Sequence, residues 1–233
     1  MKLGILKTGQ PPEELSRFGG YDAMFTRLLG RDAYDYAVFD VGAGQLPARA
    51  ESCQAYIVTG SACGVYDPLP WIAGLKSFLR SARGRAALVG ICFGHQVMAE
   101  AFGGKVVKSP KGWGVGAHRY DVLSPRPWLE GRTAMTLPAS HQDQVVELPP
   151  SAEVVAGSDF APFGLLAYTD QPAISLQLHP EFEPDYAIAL VEHLRGGGLG
   201  DEKAQSAIAS LRGPMDSIDA ANWIRSFLRS AWP

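Results

Sequence analysis

Apolar residues recur along this chain with two different periods. The short, largely apolar runs Lys2–Lys7, Tyr34–Val41 and Ala55–Thr59 predict strands buried on both faces, as in a parallel sheet. Between them, Met24, Phe25, Leu28 and Leu29 in Tyr21–Leu29, and Ile72, Leu75, Phe78 and Leu79 in Trp71–Arg80, fall three or four residues apart and predict helices packed on that sheet. A fourth run, Ala86–Ile91, stops at Cys92 and passes directly into the helical spacing of Gly94–Phe102. A strand therefore turns sharply into a helix at this cysteine.

From Lys105 to Leu178 the pattern shortens. The pieces Lys105–Lys108, His118–Leu123, Thr133–Leu137, Val154–Ala156, Leu165–Tyr168 and Ala173–Leu178 are separated by Pro, Gly and Ser-Asp signals, which predicts strands and hairpins. Helical spacing returns over Phe182–Arg195, a flexible loop is expected over Gly196–Gly200, and Ile218–Trp232 reads as an amphipathic terminal helix. Its Trp223, Ile224, Phe227 and Leu228 face suits core packing better than a partner surface. The expected fold class is α/β, with an added antiparallel β portion.

Composition narrows the function. The 233 residues carry 21 basic and 24 acidic side chains, a formal charge of −3, which excludes an electrostatic nucleic-acid binder. Hydrophobic residues make up 46% and charged residues 19%, enough for a folded core in one domain. The start lacks a basic segment followed by a cleavage site, and no run approaches about 20 apolar residues, so neither secretion nor a membrane is expected. Three cysteines, Cys53, Cys63 and Cys92, are an odd number that suits reduced thiols in the cytoplasm.

The chemistry centres on Gly90-Ile91-Cys92-Phe93-Gly94-His95-Gln96, which has the layout of a nucleophile elbow. Glycines two residues either side of the central residue let the backbone bend without Cβ clashes and lift that side chain above the sheet edge. The unpaired N–H groups of the following helix favour a thiolate there. A buried packing cysteine is the other reading of a lone Cys, and the flanking glycines select the nucleophile. Its base is expected at His179, which closes the strand Ala173–Leu178 and lies two residues before Glu181. In an extended segment residues i and i+2 share a side, so Glu181 can hold the imidazole. His95, His118, His141 and His193 have weaker claims. Taken alone, His-Pro-Glu is as readily a solvated turn; beside the elbow, Cys92, His179 and Glu181 form a candidate triad.

The pairing of Gly90-Ile-Cys-Phe-Gly-His-Gln96 with His179-Pro-Glu181 resembles the class I glutamine amidotransferase family, and most of all its stand-alone members similar to the amidotransferase domain of GMP synthase. The resemblance continues through Val58-Thr-Gly-Ser61, Tyr66-Asp67-Pro68, Trp71–Phe78 and Ser140-His-Gln-Asp-Gln-Val145, over about residues 1–195. It implies a doubly wound, mostly parallel, flavodoxin-like sheet flanked by helices, with residues 196–233 as a Gly-rich loop and helical extension packed on the same domain. It also implies that a thiolate attacks the side-chain amide of glutamine, ammonia leaves, and water hydrolyses a γ-glutamyl thioester. By position, the resemblance assigns the oxyanion hole to the backbone amides of Gly60 and Phe93. Substrate binding falls to Gln96 and to the loop Ser140, His141, Gln142 and Asp143, mostly through main-chain groups. For His141 and Asp143 a polar turn between strands is an equal reading.

The chain departs from the family where relatives often carry Pro-Gly after the first oxyanion glycine: here the residues are Ser61-Ala62-Cys63-Gly64. Too little sequence follows Glu181 for a synthetase half, so an ammonia acceptor is expected on a partner protein, with a homo-oligomer as the other association. No CxxC pair, HExxH helix or phosphate-binding loop occurs, so neither metal nor cofactor is expected. A close variant cleaves γ-glutamyl peptides with the same triad, and the sequence does not separate the two substrates. A noncatalytic synthetase subunit is disfavoured by retention of all three triad residues. A fold of the DJ-1 type is disfavoured by Phe93, where that group typically has histidine.

Overall fold

The computed structural model describes residues 1–231. In chain order the elements are β1 (Lys2–Lys7), α1 (Tyr21–Leu29), β2 (Asp35–Asp40), β3 (Ala55–Val58), α2 (Pro70–Ala82), β4 (Ala87–Ile91), α3 (Phe93–Ala101), β5 (Lys105–Lys108), β6 (Gly114–Val122) and β7 (Ala134–His141). They continue as β8 (Asp143–Glu147), β9 (Ala152–Gly157), β10 (Leu165–Tyr168), β11 (Ala173–Leu176), α4 (Pro184–Gly196), α5 (Asp201–Leu211) and α6 (Ser217–Ala231). The main sheet runs β2-β1-β3-β4-β11-β10-β9-β6-β7. Its first five strands are parallel in the flavodoxin-like order, and from β11 onward every pairing is antiparallel. The antiparallel portion is thus mainly a continuation of the same sheet, with β5 and β8 forming a separate two-stranded ribbon.

Helices cover both faces because the central strands bury alternate side chains on opposite sides. Leu3, Ile5, Ile57, Val89 and Ile91 pack with Phe25 and Leu29 of α1 and with Trp223, Ile224, Phe227 and Leu228 of α6. On the other face Leu6, Tyr56, Val58 and Leu88 meet Ile72, Leu75 and Leu79 of α2 and Val97 and Met98 of α3. The α6 face is therefore core, and Trp232, assigned above to its last turn, lies outside the described residues.

Three expectations need correction. The Gly196–Gly200 loop is shorter than expected because Gly196 still belongs to α4, after which Gly198 turns at φ 104°. The helix α5 was missed altogether: its composition is polar, and it buries only Ala204, Ala207, Ile208 and Leu211, against α4 and β6. Finally, Ser140–Asp143 is not a loop. Ser140 and His141 end β7 and Asp143 begins β8, leaving Gln142 as the sole connecting residue.

Candidate active site

The carboxyl ends of the adjacent parallel strands β1, β3, β4 and β11 lie along one edge of the sheet, the edge whose crevice is the usual ligand position in an open α/β sheet. Cys92 sits there at the end of β4 with φ 52° and ψ −103°. A left-handed conformation at a non-glycine residue costs roughly 1–3 kcal/mol and persists only where the surroundings impose it. Here they do. A Cβ on Gly94 would lie 2.2 Å from the Val58 carbonyl oxygen, and one on Gly90 would lie 2.5 Å from the Gly94 carbonyl oxygen. The strand, turn and helix backbones approach so closely that only glycine fits on either side of Cys92.

His179 follows β11 and is anchored by its own N–H, which donates to the carbonyl of Pro138 at 2.8 Å. Its imidazole and Cys92 converge on Gly60: a Cβ placed there would stand 3.1 Å from His179 Cε1 and 3.9 Å from Cys92 Cβ. Behind it, Glu181 Oε1 lies 2.8 Å from His179 Nδ1, with both side chains buried. Burial alone would lower the imidazole pKa, but the adjacent Cys92 and Glu181 outweigh it and push the value up to about 10, so the ring carries its proton at neutral pH. Phe182, which sequence reasoning did not single out, stacks on the ring at 3.9 Å between centroids and 8° between planes. Its position three residues after His179 gave no signal of that role.

Among the described residues, neither the Gly60 N–H nor the Phe93 N–H donates to a protein acceptor. Phe93 is the first residue of α3, where such N–H groups are free by geometry. Gln96 Nε2 donates to the Asp143 carbonyl at 2.9 Å and to Gln177 Oε1 at 3.1 Å. The same carbonyl lies 3.1 Å from His141 Nδ1, which sets that nitrogen as the protonated one. Burial lowers the His141 pKa to about 3, so the ring is neutral. The Ser140 carbonyl faces the Cys92 sulfur at 3.9 Å, while the Gln142 carbonyl is taken by Ser109 N–H. Tyr66 O–H donates to Asp143 Oδ1 at 3.1 Å and so ties the segment after Gly60 to the start of β8. His95, neutral because burial lowers its pKa to about 4, points away to Ser175 Oγ at 2.8 Å.

Electrostatically the crevice unites a strained thiol, a cationic imidazole held by a buried carboxylate, and two unclaimed backbone donors. That set suits nucleophilic attack on a carbonyl carbon with charge developing on its oxygen.

A model of the family described as glutamine amidotransferase class-I matches residues 27–188. The chain is 28% identical over 244 residues to a glutamine amidotransferase-like protein of Schizosaccharomyces pombe, spanning 97% of this chain and 98% of that one. It is 27% identical to γ-glutamyl peptidase 4 of Arabidopsis thaliana over 84% of this chain and 82% of the peptidase. The crystal structure of a glutamine amidotransferase from Thermotoga maritima matches the fold with a TM-score of 0.77 at 17% identity, over 99% of this chain and 97% of that one.

Proposed function

The chain belongs to the class I glutamine amidotransferase family, and from that premise we propose that it is a cysteine-nucleophile amidohydrolase that cleaves a γ-glutamyl amide with Cys92, His179 and Glu181 as its triad. The Cys92 thiolate attacks the γ-carbonyl, and the developing oxyanion accepts hydrogen bonds from Gly60 N–H and Phe93 N–H. As the tetrahedral adduct collapses, the carbon–nitrogen bond breaks and His179 gives its proton to the leaving nitrogen. Water enters, His179 takes a proton from it, and a second tetrahedral adduct collapses to release glutamate and restore the thiolate. Glu181 keeps the imidazole oriented and compensates its charge without exchanging a proton. Gln96 and the Ser140, His141, Gln142 and Asp143 segment border the space left for the amino-acid end of the substrate.

The observation that carries this reading is the strained Cys92 backbone beside a Glu181-held imidazole. A noncatalytic synthetase subunit has no use for conformational strain at a thiol, which argues against that alternative.

Glutamine is the first candidate substrate, with ammonia passed to an acceptor on a synthetase partner. Hydrolysis of γ-glutamyl peptides is the second reading, and two observations favour it. The similarity to a γ-glutamyl peptidase extends over 84% of the chain. The segment after Gly60 is already closed by its own bonds, Cys63 N–H to Ser61 Oγ, Gly64 N–H to Asp67 Oδ2 and Tyr66 to Asp143, so no docking partner is needed to order it. No helix among the described residues is long and apolar enough to cross a membrane, and the three free thiols suit the cytoplasm, where we place the activity.

Incubating the purified protein separately with glutamine and with a glutathione S-conjugate, and measuring ammonia against released glutamate, tests the reading and ranks the substrates. Turnover that persists in Cys92→Ala, or absence of turnover with both compounds, would sink it.

A further inference from the structure

A buried hydroxyl network beside Gly60 has no part in the mechanism so far. Gly60 N–H can receive an oxyanion only if its peptide plane is fixed, and glycine has no side chain to fix it. In a trans peptide the N–H of Gly60 points opposite to the carbonyl of Thr59. Whatever holds Thr59 O therefore aims Gly60 N–H. Two donors hold it: Gly94 N–H at 3.2 Å and the Thr8 hydroxyl at 2.9 Å. On the other side of Gly60, its own carbonyl lies 3.0 Å from Thr8 Oγ1 and 3.2 Å from Thr59 Oγ1. Thr8 N–H donates to Thr59 Oγ1 at 3.0 Å, and the two hydroxyl oxygens are 3.1 Å apart.

The proton count closes. With Thr8 O–H given to Thr59 O and Thr59 O–H given to Gly60 O, both carbonyls that flank the Gly60 N–H are held, and the Thr8 amide is satisfied by Thr59 Oγ1. Thr8 is 3% exposed and Thr59 0%, so water does not compete. Packing alone does not demand hydroxyls here, because valine has the same shape. The Gly94 bond also links the two oxyanion donors mechanically, since Gly94 adjoins Phe93 in the first turn of α3.

We infer that Thr8 and Thr59 are positioning residues of the oxyanion hole: their paired hydroxyls lock the peptide planes on both sides of Gly60 and preorganise its N–H toward the adduct on Cys92. This rests on the hydrolase reading above and adds to it two residues that never touch the substrate.

The test compares Thr8→Val, which keeps the shape and loses the hydroxyl, with Thr8→Ser, which keeps the hydroxyl. Three quantities are measured: steady-state turnover of whichever substrate the wild type cleaves, the rate of Cys92 alkylation by iodoacetamide, and the Gly60 amide resonance in a ¹H–¹⁵N spectrum. Losing an oxyanion donor outright costs about 10²–10³ in kcat, and loosening one is expected to cost about tenfold. Thr8→Val should therefore lower kcat about tenfold with KM little changed, and shift the Gly60 amide. Alkylation, which forms no oxyanion, should keep its wild-type rate. Thr8→Ser should restore both kcat and the resonance. An unchanged kcat and unmoved resonance in Thr8→Val, equal impairment in Thr8→Ser, or a parallel loss of alkylation would each overturn the inference. If the wild type cleaves neither substrate the hydrolase reading fails, and the Gly60 resonance still decides the positioning.

Discussion

His95 and His141 are held neutral by burial, and that fixes how the protein responds to acid. Their pKa values are lowered to about 4 and about 3, whereas a histidine in an unfolded chain titrates near about 6.5. Below that value the unfolded state binds protons that the folded state refuses, so stability present above pH ~6.5 is lost as pH falls. Each residue removes about 1.4 kcal/mol per pH unit, and over the two units from about 6.5 to 4.5 the pair removes about 5 kcal/mol. That approaches the whole stability of an ordinary domain, about 5–15 kcal/mol. His179 does not disturb the window: its pKa is raised, so it is protonated in both states there. Urea unfolding followed by tryptophan fluorescence, repeated at half-unit steps of pH, gives the slope directly. His118, whose pKa burial also lowers, adds to the same slope, so His95→Asn and His141→Asn should each reduce it by about a third to a half, whatever they do to absolute stability. A wild-type stability that stays level across the window, or a slope untouched in both variants, would show that burial of these rings does not control the acid response.

A glutamine-mimicking chloroketone should label Cys92 once and be blocked by excess glutamine; Cys53 is 1% exposed with its thiol pKa raised by burial. Peptide mapping that finds the label on Cys53 or Cys63 with Cys92 intact would discard the assigned nucleophile. Gly94→Ala drives a Cβ to 2.2 Å from the Val58 carbonyl, which must cost about 3 kcal/mol or more and lower Tm by roughly 6–12 °C. Gly196→Ala, with open space around the added carbon, should not, and equal melting of the two variants would refute the close-approach reading. Turnover should vanish in Cys92→Ala, nearly vanish in His179→Ala and survive weakly in Glu181→Gln, whose oxygen can still accept from Nδ1; full activity in His179→Ala would remove the proposed base.

What the sequence made legible depended on whether a residue's role is local. The elbow is local: two glycines, a cysteine and an abrupt change of hydrophobic period identify a turn that the backbone then adopts at φ 52°. His179 and Glu181 are two residues apart, so their contact follows from the chain itself. The α5 helix lacked such a signal, because its four buried residues meet surfaces supplied by α4 and β6. The pairing of the separate β5–β8 ribbon was equally hidden: partners 35 to 42 residues apart leave no periodic trace. Gln177 meets Gln96, and Thr8 meets Thr59, across more than 50 residues of chain, while Phe182 lies near His179 in sequence but outside any helix or strand, so no spacing rule reaches these contacts.

The antiparallel half is also what completes the crevice. The parallel strands deliver Cys92, Gly60 and His179 to one edge, yet His179 is held in place by the carbonyl of Pro138, and the thiol faces the carbonyl of Ser140, both on β7. That strand is the last in the sheet, the position where a proline is tolerated because its missing N–H interrupts no further ladder. β7 pairs with β6 on one side and has carbonyls left over on the other, and that of Pro138 holds His179 at the end of β11. Strands four places apart in sheet order, as β11 and β7 are, cannot be aligned by local pattern, so the sheet must close before the candidate site exists. The proposed nucleophile is set by a few adjacent residues, whereas its proposed base is set by the whole sheet.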